Sequence, residues 1–344
     1  MTTIPHDQLR ELATGLFANA GAPTESAHIV ADHLVEASLR GLDSHGVIRV
    51  LFYLDEIANG RLKPAAPVTV ERDRPTTAIV DAHGNFGQVC GARMVAVAVA
   101  KARATGLSCV ISKHSHHVGR LGAYTEAIAA EGFVALGTVC SHKAGHYVAP
   151  WGGREARLAT NPISWAAPTS TAPVVLDMST SMIAEGKIRA LMHAGEELPA
   201  GCVLDAAGNP TRDPAAFYGP PRGTILPFGG AQGYKGFGLS LLTMVLGEAL
   251  AGEEIADDSP YLNGLALVVI DPGAFESRAA FVQRMDRMVA YLKATPPADG
   301  AREVLLPGEL ELRIREQRMR DGIPLAPATW EQIQARAARF GLAA

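Results

Sequence analysis

The chain predicts a mixed α/β (α+β) protein, with a central sheet clothed by helices and a helical lobe built from both chain ends. Three observations carry the prediction. Short β-branched or apolar runs alternate with Ala-rich helical stretches through the middle of the chain. Helical apolar spacing fills residues 1–40 and returns in the tail. The 344 residues are 48% hydrophobic and 19% charged, enough to bury two or three packed layers without disorder. On this reading residues 1–75 with 290–344 form the helical lobe, and residues 76–289 the sheet-bearing domain.

The elements follow in order. Leu9, Leu12, Leu16 and Phe17 recur at helical spacing until Gly21-Ala22-Pro23 breaks the pattern. Thr24 is placed to cap a second helix carrying Ile29, Val30, Leu34 and Val35. That helix runs toward Arg40-Gly41, so Ser44-His45-Gly46 falls at or just past its carboxyl end. The runs 68–70, 77–80, 109–111 and 134–139 predict strands, with helices over 92–104 and 123–130 between them. Gly and Pro crowd 150–173 and 195–233, which read as long ordered loops. A helix is expected over 236–251 and a buried strand over 265–270. A further helix over 275–293 is expected to turn Phe281, Met285, Met288, Val289 and Leu292 inward, and a last helix to span 327–340.

Composition narrows function. The formal charge of −4 shows no basic excess, against a general nucleic-acid binder. The four cysteines (Cys90, Cys109, Cys140 and Cys202) form no CxxC pair and read as buried reduced thiols. No apolar run is long enough to span a bilayer, and the amino-terminal residues lack signal-peptide character, so a cytoplasmic location is expected.

Chemistry is suggested by two His/Arg pairs. His117 lies in Ser115-His116-His117-Val118-Gly119-Arg120-Leu121-Gly122, and His45 in Asp43-Ser44-His45-Gly46-Val47-Ile48-Arg49. An imidazole titrates near working pH and can move a proton. A guanidinium beside it grips a carboxylate through two parallel hydrogen bonds, which makes Arg49 and Arg120 candidate anchors for a small acid. Tyr53 would share the face of Arg49 if a helix resumes there. No G-x-G-x-x-G follows a strand, so any dinucleotide is held outside a Rossmann turn. Lys235, among glycines just before a helix, reads equally as part of a phosphate site or as a plain tight turn. Asp177, after the run Val174-Val175-Leu176, is placed to hold ribose hydroxyls or to cap a turn. The histidines at 114, 116, 117, 142 and 146 invite a zinc site, but no H-E-x-x-H or cysteine pair accompanies them, and no metal is expected.

Taken together, these strings resemble the type 2 malate/L-lactate dehydrogenase family. The resemblance runs in order through Gly41–Val47, His117–Gly119, Pro150–Glu155, Ala159–Ile163, Leu176–Ser181, Gly233–Gly238, Val304–Glu309 and Gly322–Leu325. It implies an NAD(P)-dependent oxidoreductase with a non-Rossmann cofactor domain, working as a homodimer on a small anionic substrate. By the matching motifs, His117 is the acid/base on the substrate oxygen and His45 lines the nicotinamide and substrate pocket. The acid role has been given to either histidine within the family, so both stay open. Arg49 would bind the substrate carboxylate, with Ser44, Tyr53 and Arg120 around the substrate. His45, Gly119, Arg120, Leu121, Ser141, Thr160, Asp177, Met178, Ser179, Lys235, Gly236, Gly308 and Glu309 would border the cofactor. NAD is favoured over NADP, since Asp177 at the ribose would repel a 2′-phosphate.

Two departures bear on the substrate. Many relatives carry a small or aromatic residue around the turn where this chain has Arg120, which points to a subgroup such as the hydroxycarboxylate dehydrogenases. The loop 141–146 is also more basic than the family leads one to expect, and both features favour a substrate with a second negative charge. The expected reaction is interconversion of a small 2-hydroxy acid and its 2-oxo acid by hydride transfer with histidine acid/base catalysis. One alternative is a reductase of cyclic imino acids such as piperideine- or pyrroline-2-carboxylate. The alternative of another class is a metal-dependent hydrolase or lyase built on the 114–146 histidines.

Overall fold

The computed structural model of the protein describes residues 2–253 and 262–343. It opens with β1 (Thr2–Ile4), α1 (His6–Asn19) and α2 (Thr24–Leu39). Leu9, Leu12, Leu16 and Phe17 are buried, as are Val30, Leu34 and Val35, so the helical spacing marks the packed stripe. Thr24 does not cap α2. Pro23 holds the cap position in an extended conformation (ψ 145°) and no side chain caps the helix, Thr24 being already within it. Gly41 turns the chain with φ +80°, and Asp43–His45 make one 3-10 turn before α3 (Arg49–Ala58).

The middle of the chain runs β2 (Thr69–Asp73), β3 (Thr77–Asp81), α4 (Gly87–Thr105), β4 (Leu107–Lys113), β5 (Ser115–His116), α5 (Gly122–Ala130), β6 (Val134–Ser141), β7 (Ile163–Ala167) and β8 (Val174–Met178). Then come α6 (Glu185–Ala194), β9 (Val203–Leu204), β10 (Pro210–Thr211), α7 (Pro214–Tyr218), β11 (Thr224–Ile225) and α8 (Tyr234–Met244), the last continued by a π-helical turn over Val245–Ala249. The chain closes with β12 (Leu262–Ile270), α9 (Arg278–Lys293), α10 (Glu309–Asp321), β13 (Ile323–Leu325) and α11 (Pro327–Arg339).

The main sheet has the order β2-β3-β4-β12-β6-β7-β8, and β5 extends the β4 side by pairing with the start of β12. Among the described residues β3 and β4 make its one parallel pair, across α4; every other pairing is antiparallel. This is a mixed α+β sheet and not the parallel, doubly wound arrangement that a Rossmann turn serves. A buried cluster joins α1, α2 and α3 to Phe86, β13 and α11, and β1 pairs with β13, so both chain ends share one core. A second core lies between the sheet and helices α4 and α5, and a third between α6, α7, α8 and the short strands.

Two further expectations fail. The stretches 150–173 and 195–233 are not simply loops: β7 is a full strand of the main sheet, and β9, β10 and β11 form a sheet of their own. Their Gly and Pro density hid strands too short to show a period. In α9 no residue is buried, and Met288 and Leu292 are 55% and 42% exposed. Periodicity tells which helix face is apolar, but not whether the same chain covers it.

Candidate active site

The two histidine strings meet. The rings of His45 and His117 stack with centroids 5.6 Å apart, inclined by 20°. His45 closes the 3-10 turn between α2 and α3, and His117 follows β5, which β12 holds through the His116–Leu262 pairing. Asn263 of β12 fixes the neighbourhood. Its Oδ1 accepts from the Val118 amide at 3.1 Å, and its Nδ2 donates to Ser141 Oγ at 2.5 Å.

A cavity of about 590 Å³ opens over the histidines, a size typical of ligand sites. Of the residues singled out in the sequence, Ser44, His45, Arg49, His117, Gly119, Ser141 and Thr160 line it. Arg49 is steered by its Nε, which donates to the Ser44 carbonyl at 2.6 Å, and by packing on Phe52, whose ring lies 5.6 Å from the guanidinium carbon.

The other expected residues lie off this wall. Tyr53 is fully buried one turn along α3 from Arg49, behind His117, with its hydroxyl 2.7 Å from His117 Nδ1. Arg120 is buried and directed to Glu126 at 3.0 Å, with Asp177 4.0 Å from its Nε. Asp177 accepts the Gly122 amide at 2.7 Å, while burial pushes its carboxyl upward despite Arg120. Leu121 is buried. Met178 and Ser179 continue from Asp177. Gly308 packs on Val175 of the same strand, and Glu309 pairs with Lys293 at 2.6 Å. Lys235 is exposed beside the ring of Tyr234, and Gly236 lies against Phe228 too closely to admit a Cβ. Backbone bonds nevertheless link these places, from Thr160 to Thr180, Thr180 to Phe228 and Phe228 to Gly236.

Burial sets the electrostatics. It pushes His117 well below its ordinary range, with Arg49 and His45 adding repulsion. Burial, then Arg49, brings His45 down to about 4. Both rings are therefore neutral at neutral pH. The remaining histidines disperse: His116 turns to Glu56 (3.3 Å), His142 to Glu253 (3.2 Å) and His114 to Asp81 (3.0 Å). Among the described residues no three His, Cys, Asp or Glu side chains converge in a metal-binding group.

Sequence reasoning missed several neighbours. Gln88 donates to Tyr53 Oη at 2.6 Å. His33 Nε2 accepts the Arg120 amide at 2.8 Å and is brought down to about 3, first by burial and then by Arg120. A Cβ on Gly119 would lie 2.4 Å from that same nitrogen, and its φ is +74°, so the turn after His117 requires glycine. His33 did carry a signal, a polar residue three after Val30 on the buried stripe. Asn161, Tyr147, Glu185 and Arg189 also line the cavity; Asn161 has φ +38° and a buried Oδ1 without a partner.

The family model for malate/L-lactate dehydrogenase matches residues 4–334. The chain is 35% identical over 341 residues to an L-lactate dehydrogenase of Cupriavidus necator, covering 97% of each. It is 34% identical over 342 residues to hydroxycarboxylate dehydrogenase B of Escherichia coli, covering 97% of this chain and 93% of that one. The solved structure of a δ1-piperideine-2-carboxylate reductase from Pseudomonas syringae superposes with a TM-score of 0.86 at 32% identity, covering 98% and 100% of the two chains. The chain belongs to the malate/L-lactate dehydrogenase family and is an oxidoreductase of the 2-hydroxy acid dehydrogenase class that uses a nicotinamide cofactor.

Proposed function

We propose that the protein interconverts a small 2-oxo acid and its 2-hydroxy acid, with Arg49 anchoring the carboxylate and His117 exchanging the proton with the C2 oxygen. The observation that carries this reading is the stacked His45–His117 pair beside Arg49 on one cavity wall. Arg49 leaves both terminal nitrogens for a carboxylate, since its Nε is already committed to Ser44. His117 meets Tyr53 through Nδ1, and in this reading its Nε2 exchanges the proton with the substrate. His45, neutral and tethered to Ser44 Oγ at 3.0 Å, positions the substrate oxygen. A carboxylate docked on Arg49 offsets the cation that repels a proton from His117, so substrate binding readies the ring to become charged. Acid–base help of this kind contributes about 10²- to 10⁴-fold.

A nicotinamide suits the same cavity, because Asn161 lines it and has a buried, unpartnered Oδ1 that a carboxamide N–H donor could satisfy. Asn161, Ser141 and Thr160 would hold it, and when bound it supplies or accepts the hydride at C2. The choice of NAD or NADP is left to the cofactor assay, since Asp177, the acid that favoured NAD in the sequence, is taken up by the Gly122 amide and lies beside Arg120 off the cavity wall. Leu239, Leu241, Leu242, Val245 and Leu250 are each 39–56% exposed, and this apolar face supports a homodimer. The lobe division, residues 1–75 with 290–344 against 76–289, is likewise a proposal, supported by the core the two ends share. Among the described residues no helix is long and apolar enough to cross a membrane, and we place the enzyme in the cytoplasm.

The test follows absorbance at 340 nm with NADH or NADPH and a panel of 2-oxo acids, with piperideine-2-carboxylate beside them. Oxidation with a 2-oxo acid supports the reading. Turnover of the cyclic imine alone supports the imino-acid reading, to which the likeness to the Pseudomonas syringae reductase lends support. The His117→Ala variant is expected to bind cofactor and lose turnover.

A further inference from the structure

The acidic and basic side chains that line the cavity among the described residues are Asp43, His45, Arg49, His117, Glu185 and Arg189. Their charges nearly cancel. Asp43 is matched by Arg318, at 2.5 and 3.1 Å. Glu185 is matched by Arg189, whose Nη2 reaches both carboxylate oxygens at 2.7 and 2.8 Å, and it also accepts the Tyr218 hydroxyl at 2.9 Å. The two histidines are neutral. Among the described residues, Arg49 is the one cation on the wall without a carboxylate partner.

Two of the cations that the sequence offered for a second negative charge are engaged with acids, and Lys143 and His146 of the same basic loop are not among the residues that line the cavity. Arg120 faces Glu126 and Asp177, and His142 faces Glu253. In their place the cavity presents an acid. Glu185 starts α6 with its side chain only 15% exposed, so it cannot swing away into solvent. The next residue, Gly186, sits against Ser44, where a Cβ would lie 3.1 Å from the serine Cβ, and this joins α6 to the wall that carries His45. An incoming second carboxylate therefore meets Glu185, or must pull Arg189 from it and leave Glu185 uncompensated.

We infer that Glu185 is a specificity-determining residue that closes its part of the cleft to a second anionic group, so that the enzyme takes singly charged 2-hydroxy and 2-oxo acids in preference to dicarboxylates. This rests on the hydride-transfer reading above and names its substrate class. The discrimination is electrostatic, because like-charge apposition in a partly dry cleft outweighs the modest gain from one extra contact.

The experiment compares racemic 2-hydroxybutyrate with racemic malate as substrates of the full-length enzyme, since the two differ by a methyl against a carboxylate. The expected wild-type kcat/KM favours 2-hydroxybutyrate by about tenfold or more. Glu185→Gln, which frees Arg189 for a second carboxylate, should shift the ratio toward malate by about tenfold. Arg189→Gln, which leaves Glu185 uncompensated, should shift it the other way. A wild-type preference for malate overturns the inference, as does an unmoved ratio in a Glu185→Gln variant with wild-type melting temperature. Binding is read apart from turnover by thermal stabilisation with oxamate and with tartronate in the presence of NADH. If no hydroxy acid is oxidised, the catalytic reading fails. Stronger stabilisation by oxamate still upholds the charge selection, and equal or stronger stabilisation by tartronate overturns it.

Discussion

The hydroxyl of Tyr53 lies 2.7 Å from Nδ1 of His117, and behind it Gln88 Nε2 lies 2.6 Å from the same hydroxyl. Because Gln88 donates to the phenol oxygen, the phenol hydrogen is directed at Nδ1 and the resting neutral imidazole carries its proton on Nε2, a tautomer that must move that proton to Nδ1 before Nε2 can take one from a C2 hydroxyl. When Nδ1 gains a proton the phenol must accept instead. The Gln88 Oε1, buried and unpartnered, can take the phenol hydrogen if the amide turns over. Tyr53 is thus a positioning residue. Tyr53→Phe should lower kcat by about 10- to 100-fold, the worth of one hydrogen bond to a charged group, with KM nearly unchanged. Steady-state kinetics decide: a rise in KM with kcat intact would make Tyr53 a substrate ligand.

Arg49 has two roles that one variant separates. Arg49→Gln should raise KM for the acid about 100-fold, through loss of a bidentate contact. It should also move the acidic limb of the kcat/KM profile upward, because the cation that depresses His45 and His117 is gone. A raised KM with an unmoved limb would place the titrating group elsewhere.

Acid stability follows from the same burial. His33 and His45 stay neutral in the folded protein down to about 3 and about 4, while the unfolded chain binds these protons near pH 6.5. Below about 6.5 the unfolded state holds more protons. Stability is thus complete above that pH and is lost as pH falls toward 4, each histidine contributing up to about 1.4 kcal/mol per pH unit. Urea unfolding at pH 7, 6 and 5 checks this. His33→Gln, which keeps an acceptor for the Arg120 amide, should flatten the slope, and a wild-type profile already flat over that range would refute it.

Gly87 begins α4 directly beneath the catalytic strand. A Cβ there would lie 2.4 Å from the His116 carbonyl oxygen and 2.5 Å from that of His117, both backbone atoms that cannot rotate aside. Gly87→Ala should cost about 1–3 kcal/mol and displace His117. Melting temperature and kcat should fall together. Wild-type values for both would mean that α4 shifts freely.

The apolar face of α8 gives the last prediction. Leu241→Arg, at a position 48% exposed, should halve the solution mass measured by light scattering while leaving the secondary structure by circular dichroism intact. An unchanged mass would remove α8 from the interface.

What could be read beforehand was local. His45 and His117 stand beside glycine turns, Gly46 and Gly119, and both reach the cavity. Arg49 and Ser44 came with the same string. Arg120 was misjudged by the same logic, since nearness in sequence to His117 does not fix direction. The turn at Gly119 sends its side chain to Glu126 instead. Gln88, Asn161 and Glu185 belong to segments that touch the site only after the sheet has formed, and no period or spacing announces them. The apolar faces of α8 and α9 were visible as stripes, but the sequence is silent on what covers a stripe.

The pairing of β1 with β13 and the core they share with α11 impose an order on biosynthesis. The segment bearing His45 leaves the ribosome before the sheet-bearing residues, whereas Arg318, which holds Asp43, and the helix packed beneath α1 emerge only after them. The His117 half can assemble its sheet once β12 is made. A nascent chain therefore carries one half of its active site long before the other half has anything to fold against, and a ribosome stalled before Arg318 would hold an enzyme unable to turn over.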